Sequence, residues 1–505
     1  MALLNTVISW LMKKRIHQIE LFLKYPHEVQ REWLKKLLHS ARDTEWGQSY
    51  EFKSIQSPEM FRERLPVREY EELKPFIDRL KQGEQNILWP SETKWFAKSS
   101  GTTADKSKFI PVSEEALEEC HFKGGKDLLS IYCNNHPDTN LFAGKAIAMG
   151  GTHQVMEVSS ESIYYQGDLS AILMQNLPFW VEFLRTPNLS IALMDEWESK
   201  IDKMARATIQ HDVTNISGVP SWTLLLARRV LEITGKKHLL EVWPNFELFI
   251  HGGVSFLPYR ELFRQIFPSQ QMHYLETYTA SEGFFAIQDR DDADDMLLML
   301  DYGIYYEFLP ADEFSSYSSE AISLDEVNLN TNYAVVITTN AGLWRYLIGD
   351  TVRFTSLDPH RIKITGRTRS YINAFGEELI VDNADKALSI ACNRCQSTLL
   401  DYTAAPVYFE VNQRGAHEWL IEFDAPPQDM AFFTEIFDNA LKSLNSDYEA
   451  KRYHNMILGE PIIRVVPLNT FYNWLKSKGK LGGQHKVPRL FNTRKYVDEI
   501  LQMIS

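Results

Sequence analysis

Apolar positions near the start of the chain recur at helical spacing. Val29, Trp33, Leu37 and Ala41 fall four apart, with Leu34 and Leu38 beside them, so one helix face carries them all. This stripe predicts helices over the first 45 or so residues, with the apolar face packed into a core. From Lys94 the period changes. Lys94-Trp95-Phe96-Ala97 and Lys108-Phe109-Ile110-Pro111-Val112 read as short strands on either side of a polar loop over 99–107. Helices and short apolar strands then alternate to about residue 280, the texture of a mixed α/β architecture. Phe284-Phe285-Ala286-Ile287 and Met296-Leu297-Leu298-Met299-Leu300 flank an acidic turn over 289–295, which predicts a hairpin. Its tip is expected to be solvated rather than to hold a divalent cation. Val335-Val336-Ile337-Thr338 is a further strand. A last segment of about 135 residues has helical stretches near 383–391 and 429–443 and strands near 407–411, 418–423 and 462–466. The domain boundary is placed near Arg369.

Composition narrows the picture. With 505 residues, 44% hydrophobic and 24% charged, the chain can bury a large ordered core in two or three domains. The 53 Lys and Arg against 67 Asp and Glu leave a net charge of −14, which argues against nucleic acid as a partner. A small anionic ligand is still possible, since a local cluster can hold a phosphate on an acidic protein. The charge-free stretch 328–344 is broken by Asn330, Asn332, Asn340 and Gly342, so no membrane span is expected. At the N-terminus an apolar run precedes Lys13, Lys14 and Arg15, the reverse of a secretory signal, and a cytoplasmic location is expected. Of four cysteines only Cys392 and Cys395 are close, and without a second ligand pair they read as reduced thiols.

Four segments carry candidate chemistry. Ser99-Ser100-Gly101-Thr102-Thr103 offers hydroxyls and a curling backbone, with Lys106 and Lys108 following, as a phosphate cradle requires. With one glycine it is not a P-loop, and it is equally an ordinary polar turn. Tyr278-Thr279-Ala280-Ser281-Glu282 places an aromatic face, hydroxyls and a carboxylate at a strand end. Such a ring can stack on a base, and such a carboxylate can hold Mg²⁺; a strand-end turn with a surface Glu has the same composition. Arg345-Tyr346-Leu347-Ile348-Gly349-Asp350, followed by Gly366-Arg367, suits a ribose or a plain glycine turn. A basic, glycine-rich loop near the C-terminus carries Lys478, Lys480, Lys486 and Arg489.

The order of these segments resembles the adenylate-forming superfamily. Together with Gln484-His485-Lys486-Val487-Pro488-Arg489, they look most like the auxin-responsive Gretchen Hagen family of acyl acid–amido synthetases, over nearly the whole chain. The resemblance implies an α/β fold: a large N-terminal multi-sheet α/β domain with a β-barrel-like subdomain over 1–368, and a smaller, mobile C-terminal α+β domain over 369–505. It implies ATP and Mg²⁺. Ser99, Ser100, Gly101, Thr102 and Thr103 would wrap the phosphates, and Gly253 and Val254 would lie along adenine. Tyr278 and Thr279 would join them at the base, Ser281 would touch the α-phosphate, and Glu282 would hold the metal. Asp350 and Arg367 would take the ribose, while Lys486 would reach the phosphate from the small domain. His153, Val219 and Trp222 are the candidates for the acid pocket.

The expected reaction activates a small carboxylic acid as its adenylate and passes the acyl group to an amine, an amino acid above all. The alternatives are transfer to coenzyme A or another thiol, and a nucleotide-binding regulator without turnover. A monomer is expected, with no membrane or nucleic-acid partner. Two departures from the family pattern stand out. Ala104 and Asp105 replace a glycine that many relatives place after the paired threonines, and 366–370 lacks the paired acids of acyl-CoA synthetases, which weakens the thioester reading.

Overall fold

Helix Pro26–Ala41 carries the predicted stripe, with Leu34, Leu37, Leu38 and Ala41 buried and Val29 and Trp33 partly so. Pro26 opens it where no N–H is needed. On the same face Gln30 is also buried, although it is polar. Its amide donates to the carbonyls of Leu300 (2.8 Å) and Ile304 (3.0 Å) and accepts from the Tyr306 N–H (2.8 Å). The helix is therefore bonded to strand backbone as well as packed on it. This computed structural model describes residues 15–99, 108–151, 153–159, 162–253, 256, 260–310, 321–367, 371–377, 379–408, 415–453, 457–478, 487 and 489–504.

Strands β1 (Trp95–Ser99) and β2 (Lys108–Val112) pair antiparallel with Ser99 opposite Lys108, which holds the two ends of the hydroxyl-rich loop side by side. After β3 (Lys145–Ala148), the hairpin β4 (His153–Ser159) and β5 (Ser162–Gly167) joins them in a four-stranded sheet, β2-β1-β5-β4. Next, β6 (Val213–Ser217), β7 (Leu248–Gly252) and β8 (His273–Ala280) run parallel to β3. Helices Trp197–Thr208, Pro220–Thr234 and Arg260–Ile266 make the crossovers that parallel pairing requires.

Beyond Glu282 the chain becomes antiparallel, through β9 (Gly283–Ile287), β10 (Met296–Leu298), β11 (Ile304–Pro310), β12 (Ile322–Ser323), β13 (Asn332–Thr339), β14 (Tyr346–Leu357) and β15 (His360–Arg367). All belong to one eleven-stranded sheet, β12-β11-β13-β14-β15-β10-β9-β8-β7-β6-β3. The charge-free stretch contains β13, buried at every position but the first and flanked by β11 and β14. Its apolarity is that of a strand covered on both faces. No helix among the described residues is long and apolar enough to cross a membrane.

The antiparallel half is strongly coiled. β14 lies four strands from β8, about 19 Å away if the sheet were flat. Yet the Tyr278 hydroxyl on β8 donates to Asp350 on β14 at 2.8 Å. Bulges in β14 near Thr351 and Phe354 supply extra twist, and Phe308 packs against Phe354 (4.9 Å between centroids) inside the curl. This coiled half is the barrel-like part of the expected fold.

The acidic tip between β9 and β10 is only partly solvated. Asp289 forms two 2.6 Å contacts with the Arg361 guanidinium, Asp294 meets Lys363 at 2.6 Å, and Asp295 meets Arg290 at 2.8 Å. The basic partners come largely from β15, which the sequence pattern could not align with the tip.

In the C-terminal part, β16 (Tyr371–Ile372) and β17 (Leu379–Ile380) form a small pair before a three-stranded sheet of β18 (Thr398–Val407), β19 (Ala416–Ala425) and β20 (Ile462–Val466). Trp419 and Ile421 join the apolar cluster of helices Val381–Cys395 and Met430–Leu444. Leu420 faces Phe471, Trp474, Val497 and Ile500 of the last two helices. Of the strand expected near 407–411, Val407 is the last residue of β18, and 409–411 lie outside the described residues. Ala404, Ala405 and Pro406 carry little strand propensity, and pairing with β19 decides their conformation. The cluster around Trp419 and Phe437 is continuous with Trp243, Phe249 and Phe263 of the parallel half. All four cysteines are free thiols.

One buried ion pair joins these layers. Arg345, 4% exposed, meets Glu307, 1% exposed, through Nη2–Oε1 (2.8 Å) and Nε–Oε2 (2.9 Å). Its Nη1 donates to the Arg62 carbonyl at 3.0 Å and to the Leu65 carbonyl. Removing one member of such a pair leaves the other charge buried alone. Arg345→Met is expected to lose about 3–5 kcal/mol of stability in denaturant unfolding, and Arg345→Met/Glu307→Leu should recover most of it. A single-variant loss below about 1 kcal/mol would contradict the role given to the pair.

Candidate active site

A cavity of about 1450 Å³ opens at the carboxyl ends of β6, β7 and β8, the usual ligand crevice of an open α/β sheet. Val219 follows β6, Gly253 follows β7, and Thr279, Ala280 and Ser281 close β8 at its rim. Gly253 has φ +78°, and a Cβ there would touch only Val219 at 3.8 Å, so backbone conformation rather than space calls for glycine.

Ala280 pairs with Gly283, so Ser281 and Glu282 form a two-residue hairpin turn. Glu282 is 9% exposed and accepts from the Tyr346 hydroxyl at 3.4 Å. The Lys108 ammonium lies 3.3 Å from the same hydroxyl and 5.8 Å from the ring centroids of both Tyr70 and Tyr346. A carboxylate, a phenol and a cation thus stand in a row beside the ends of the hydroxyl-rich loop. Tyr346, Ile348 and Asp350 alternate along β14, which brings Asp350 to the cavity and under the Tyr278 hydroxyl. Arg367 sits directly opposite Asp350 in the β14–β15 register.

Other cavity groups had no signal in the sequence. His251, 3% exposed, stacks on Phe256 at 4.3 Å, and its Nδ1 has no hydrogen-bond partner among the described residues. Burial pushes its pKa down to about 3, so the imidazole is neutral. Burial raises the Glu276 carboxyl, partly offset by Lys363 and Arg260. From the C-terminal part, the Asn373 amide donates to the Gly253 carbonyl at 3.4 Å, while Asn492 accepts from the Asn373 N–H at 2.6 Å. His251, Asn373 and Asn492 are each ordinary residues in their local sequence, and only the fold gathers them; Lys108 and Tyr346 belong to the phosphate and ribose segments, but their meeting beside Glu282 is not visible there.

The cavity therefore brings together Ser99, Val219, Gly253, Tyr278, Thr279, Ser281, Glu282 and Asp350. It does not include Trp222, which is buried at the start of helix Pro220–Thr234 with the Lys451 ammonium 4.3 Å above its ring. His153 lies on β4 opposite Gly167. Ser100, Gly101, Thr102, Thr103, Val254 and Lys486 lie outside the described residues. Both flanks of the C-terminal basic loop are anchored. Lys478 pairs with Glu499 at 3.0 Å, and Arg489 pairs with Asp401 and lies over the Tyr402 ring at 4.5 Å.

Solved structures share this fold. A GH3.15 acyl acid amido synthetase is 16% identical, with a TM-score of 0.61 over 97% of this chain and 96% of its own. A 2-hydroxyisobutyryl-CoA ligase, solved with 2-HIB-AMP and CoA, is 12% identical, with a TM-score of 0.55 over 94% and 92%. The fold is the one these two ligases share. The GH3 family N-terminal domain matches residues 15–272, its central domain 297–367 and its C-terminal domain 382–495; this chain belongs to the GH3 family. It is similar to indole-3-acetic acid-amido synthetase GH3.3 of Arabidopsis thaliana, 22% identical over 94% of this chain and 91% of that one. It is also similar to jasmonoyl-L-amino acid synthetase JAR6 of Nicotiana attenuata, 24% identical over 98% and 95%. The enzyme is an acyl acid amido synthetase of the adenylate-forming type.

The raised Glu276 carboxyl has a signed consequence for stability. A carboxyl harder to ionise in the folded state favours folding below its unfolded pKa, and that advantage is lost as pH rises through the folded pKa. Glu276→Gln should therefore gain thermal stability relative to wild type between about pH 4 and pH 7. A melting-temperature difference that is constant over this range would refute the assignment.

Proposed function

We propose that this enzyme joins a small carboxylic acid to the amino group of an amino acid within this cavity. A carboxylate is a poor electrophile because its charge is delocalised and its leaving group would be oxide. In the first step a carboxylate oxygen attacks the α-phosphorus of ATP, the bond to the β-phosphate breaks, and pyrophosphate leaves. In the second, the amine nitrogen attacks the acyl carbon, the acyl–oxygen bond breaks, AMP departs and the amine proton passes to solvent. No enzyme nucleophile is needed, so the protein's contribution is positioning and charge stabilisation.

The observation that carries this reading is the contact between Tyr278 and Asp350, which sets an aromatic face and a carboxylate at one point of the cavity. In this reading the Tyr278 ring and the Gly253-Val254 backbone hold the adenine, with Thr279 beside them. Asp350 takes the ribose hydroxyls with Arg367, already oriented by the phenol. Ser99, Ser100, Gly101, Thr102 and Thr103 wrap the phosphates, Lys108 adds positive charge, and Ser281 and Lys486 reach the α-phosphate. Glu282, a largely buried hard-oxygen donor at the cavity, fits Mg²⁺. When bound, Mg²⁺ supplies charge neutralisation at the phosphate oxygens. The acid is assigned to the side of Val219 and the β4 strand of His153. The names of the relatives give indole-3-acetic acid and a jasmonoyl group as acyl parts and an L-amino acid as acceptor, so those compounds open the screen.

The test is acid-dependent pyrophosphate release across a panel of carboxylic acids. Amino acids or coenzyme A are then added and the product is identified by mass spectrometry. Amide products are expected; thioester products alone, or ATP binding without turnover on any acid, would overturn the proposal. Glu282→Ala should reduce acid-dependent pyrophosphate release by about 100-fold or more, with an unchanged melting temperature. Near-normal release would remove Glu282 from the phosphate site.

A further inference from the structure

His273 and Asp291 line the far end of the cavity and His136 stands beside them, a second group of ligand-type side chains that the amide-forming reaction does not use. His136 caps helix Lys123–Asn135, His273 opens β8, and Asp291 lies in the turn between β9 and β10. The His136 Nε2 stands 3.0 Å from Asp291 Oδ1, and the two imidazole centroids are 3.9 Å apart. One donor atom from each of the three residues lies within 4.8 Å of the other two. We propose that His136, His273 and Asp291 form a binding site for a divalent cation of the Zn²⁺ class, with water in the remaining position.

The donor set selects the ion. Two imidazoles and one carboxylate suit Zn²⁺ and its first-row neighbours, whereas Mg²⁺ and Ca²⁺ take oxygen ligands. Tetrahedral Zn²⁺, with bonds of about 2.0–2.2 Å, needs donors about 3.3–3.5 Å apart. The His136–Asp291 separation is close to this, and small side-chain rotations close the rest.

The surroundings hold these ligands in place without the ion. Gln288, buried, donates its amide to the carbonyls of Arg290 (3.1 Å), Asp291 (3.1 Å) and Ala293 (2.9 Å), and accepts from the Glu276 N–H of β8 at 2.9 Å. The turn backbone around Asp291 is thereby bonded to the strand that His273 begins. Asn135 donates to the Asp289 carbonyl at 2.7 Å, tying the same turn to the helix that His136 ends. Tyr132 packs against both imidazoles, at 4.6 and 5.6 Å between centroids. Asp289, Asp294 and Asp295 are engaged by Arg361, Lys363 and Arg290, while Asp291 is directed to His136. A plain His–Asp ion pair accounts for one imidazole; it gives no reason for a second one beside it. The site is five residues from Tyr278, about 17 Å along β8, so its ion is distinct from any at the phosphates. It would tie a helix end, a strand start and a hairpin turn into one wall of the cavity.

Titration of the full-length protein with Co²⁺, read by its visible ligand-field bands, and with Zn²⁺ against a chromophoric chelator tests the site. One equivalent of Co²⁺ with tetrahedral-type bands is expected, displaced by Zn²⁺, together with a Zn²⁺-dependent rise in melting temperature that a chelator reverses. His136→Gln, His273→Gln and Asp291→Asn should each weaken apparent affinity at least about tenfold, the cost of losing even an outer-shell partner. Cys392→Ser and Cys395→Ser should bind as wild type does. His136 is half-buried at a helix end and Asp291 is exposed, so these two variants decide the matter even where His273→Gln fails to fold. Absence of stoichiometric binding to the wild-type protein, or equal affinity in wild type and His136→Gln, overturns the site. Loss of binding in the cysteine variants alone assigns the ion to the thiols and overturns it as well.

Discussion

The buried guanidinium of Arg345 is the constraint from which the cavity is built. A charge at 4% exposure is tolerable only if it is paired and hydrogen-bonded, and the guanidinium's partners come from two places. Glu307 contributes from β11, and Arg62 and Leu65 offer carbonyls from the N-terminal helical layer, while Thr338 on β13 accepts from the Arg345 backbone N–H at 3.0 Å. Arg345 itself is in the left-handed region at φ 46°, so the chain enters β14 at a defined angle. Arg68 locks that entry, donating to the Arg345 carbonyl at 2.9 Å and accepting from the Leu347 N–H at 2.8 Å. Tyr346 and Asp350 follow on the same strand, so the positions of both cavity groups depend on this pair.

The two halves of the large sheet do different work. The parallel half, closed by helical crossovers, leaves its strand ends free to form a crevice, as such sheets do. The antiparallel half coils until β14 stands over β8, and that coiling turns a crevice into a cavity with a carboxylate on its second wall. An overall charge of −14 repels ATP and a carboxylic acid at long range. The cavity lining mixes Lys98, Lys108, Arg260, Arg264 and Lys363 with carboxylates that include Glu276, Glu282 and Asp350, so an anion is met by the placement of single cations and not by a positive lining. At short range one such cation counts for more than distant surface charge that salt screens.

Much of the fold was legible because burial leaves a period in the chain. The stripe of helix Pro26–Ala41, the hairpin strands around the acidic turn and the doubly covered β13 follow from spacing alone. β18 was misplaced because Ala404, Ala405 and Pro406 are poor strand formers that hold their conformation through β19 and the backbone of Arg489 and Phe491. At the site, Tyr278, Glu282 and Asp350 were identifiable because their segments have family-like spacing and unusual chemistry. Lys108 and Tyr346 lie in the candidate segments too, but the contacts of Tyr346 with Lys108 and Glu282 were not legible, since they join three segments far apart in sequence. Trp222 illustrates the reverse: a large aromatic beside a cavity-lining valine, it turns inward under Lys451.

The sequence alone determined most of the segments that are helices and strands, β18 excepted, and which faces they bury. Those are local properties, set by side-chain period and backbone preference within a few residues. The tertiary structure decided the pairings: Gln30 with the backbone at Leu300, Arg345 with Glu307, Tyr278 with Asp350, and His136 with Asp291. Such partners are up to 270 residues apart in this set. Their meeting depends on how far the sheet coils, a property of all its strands together that no single segment encodes.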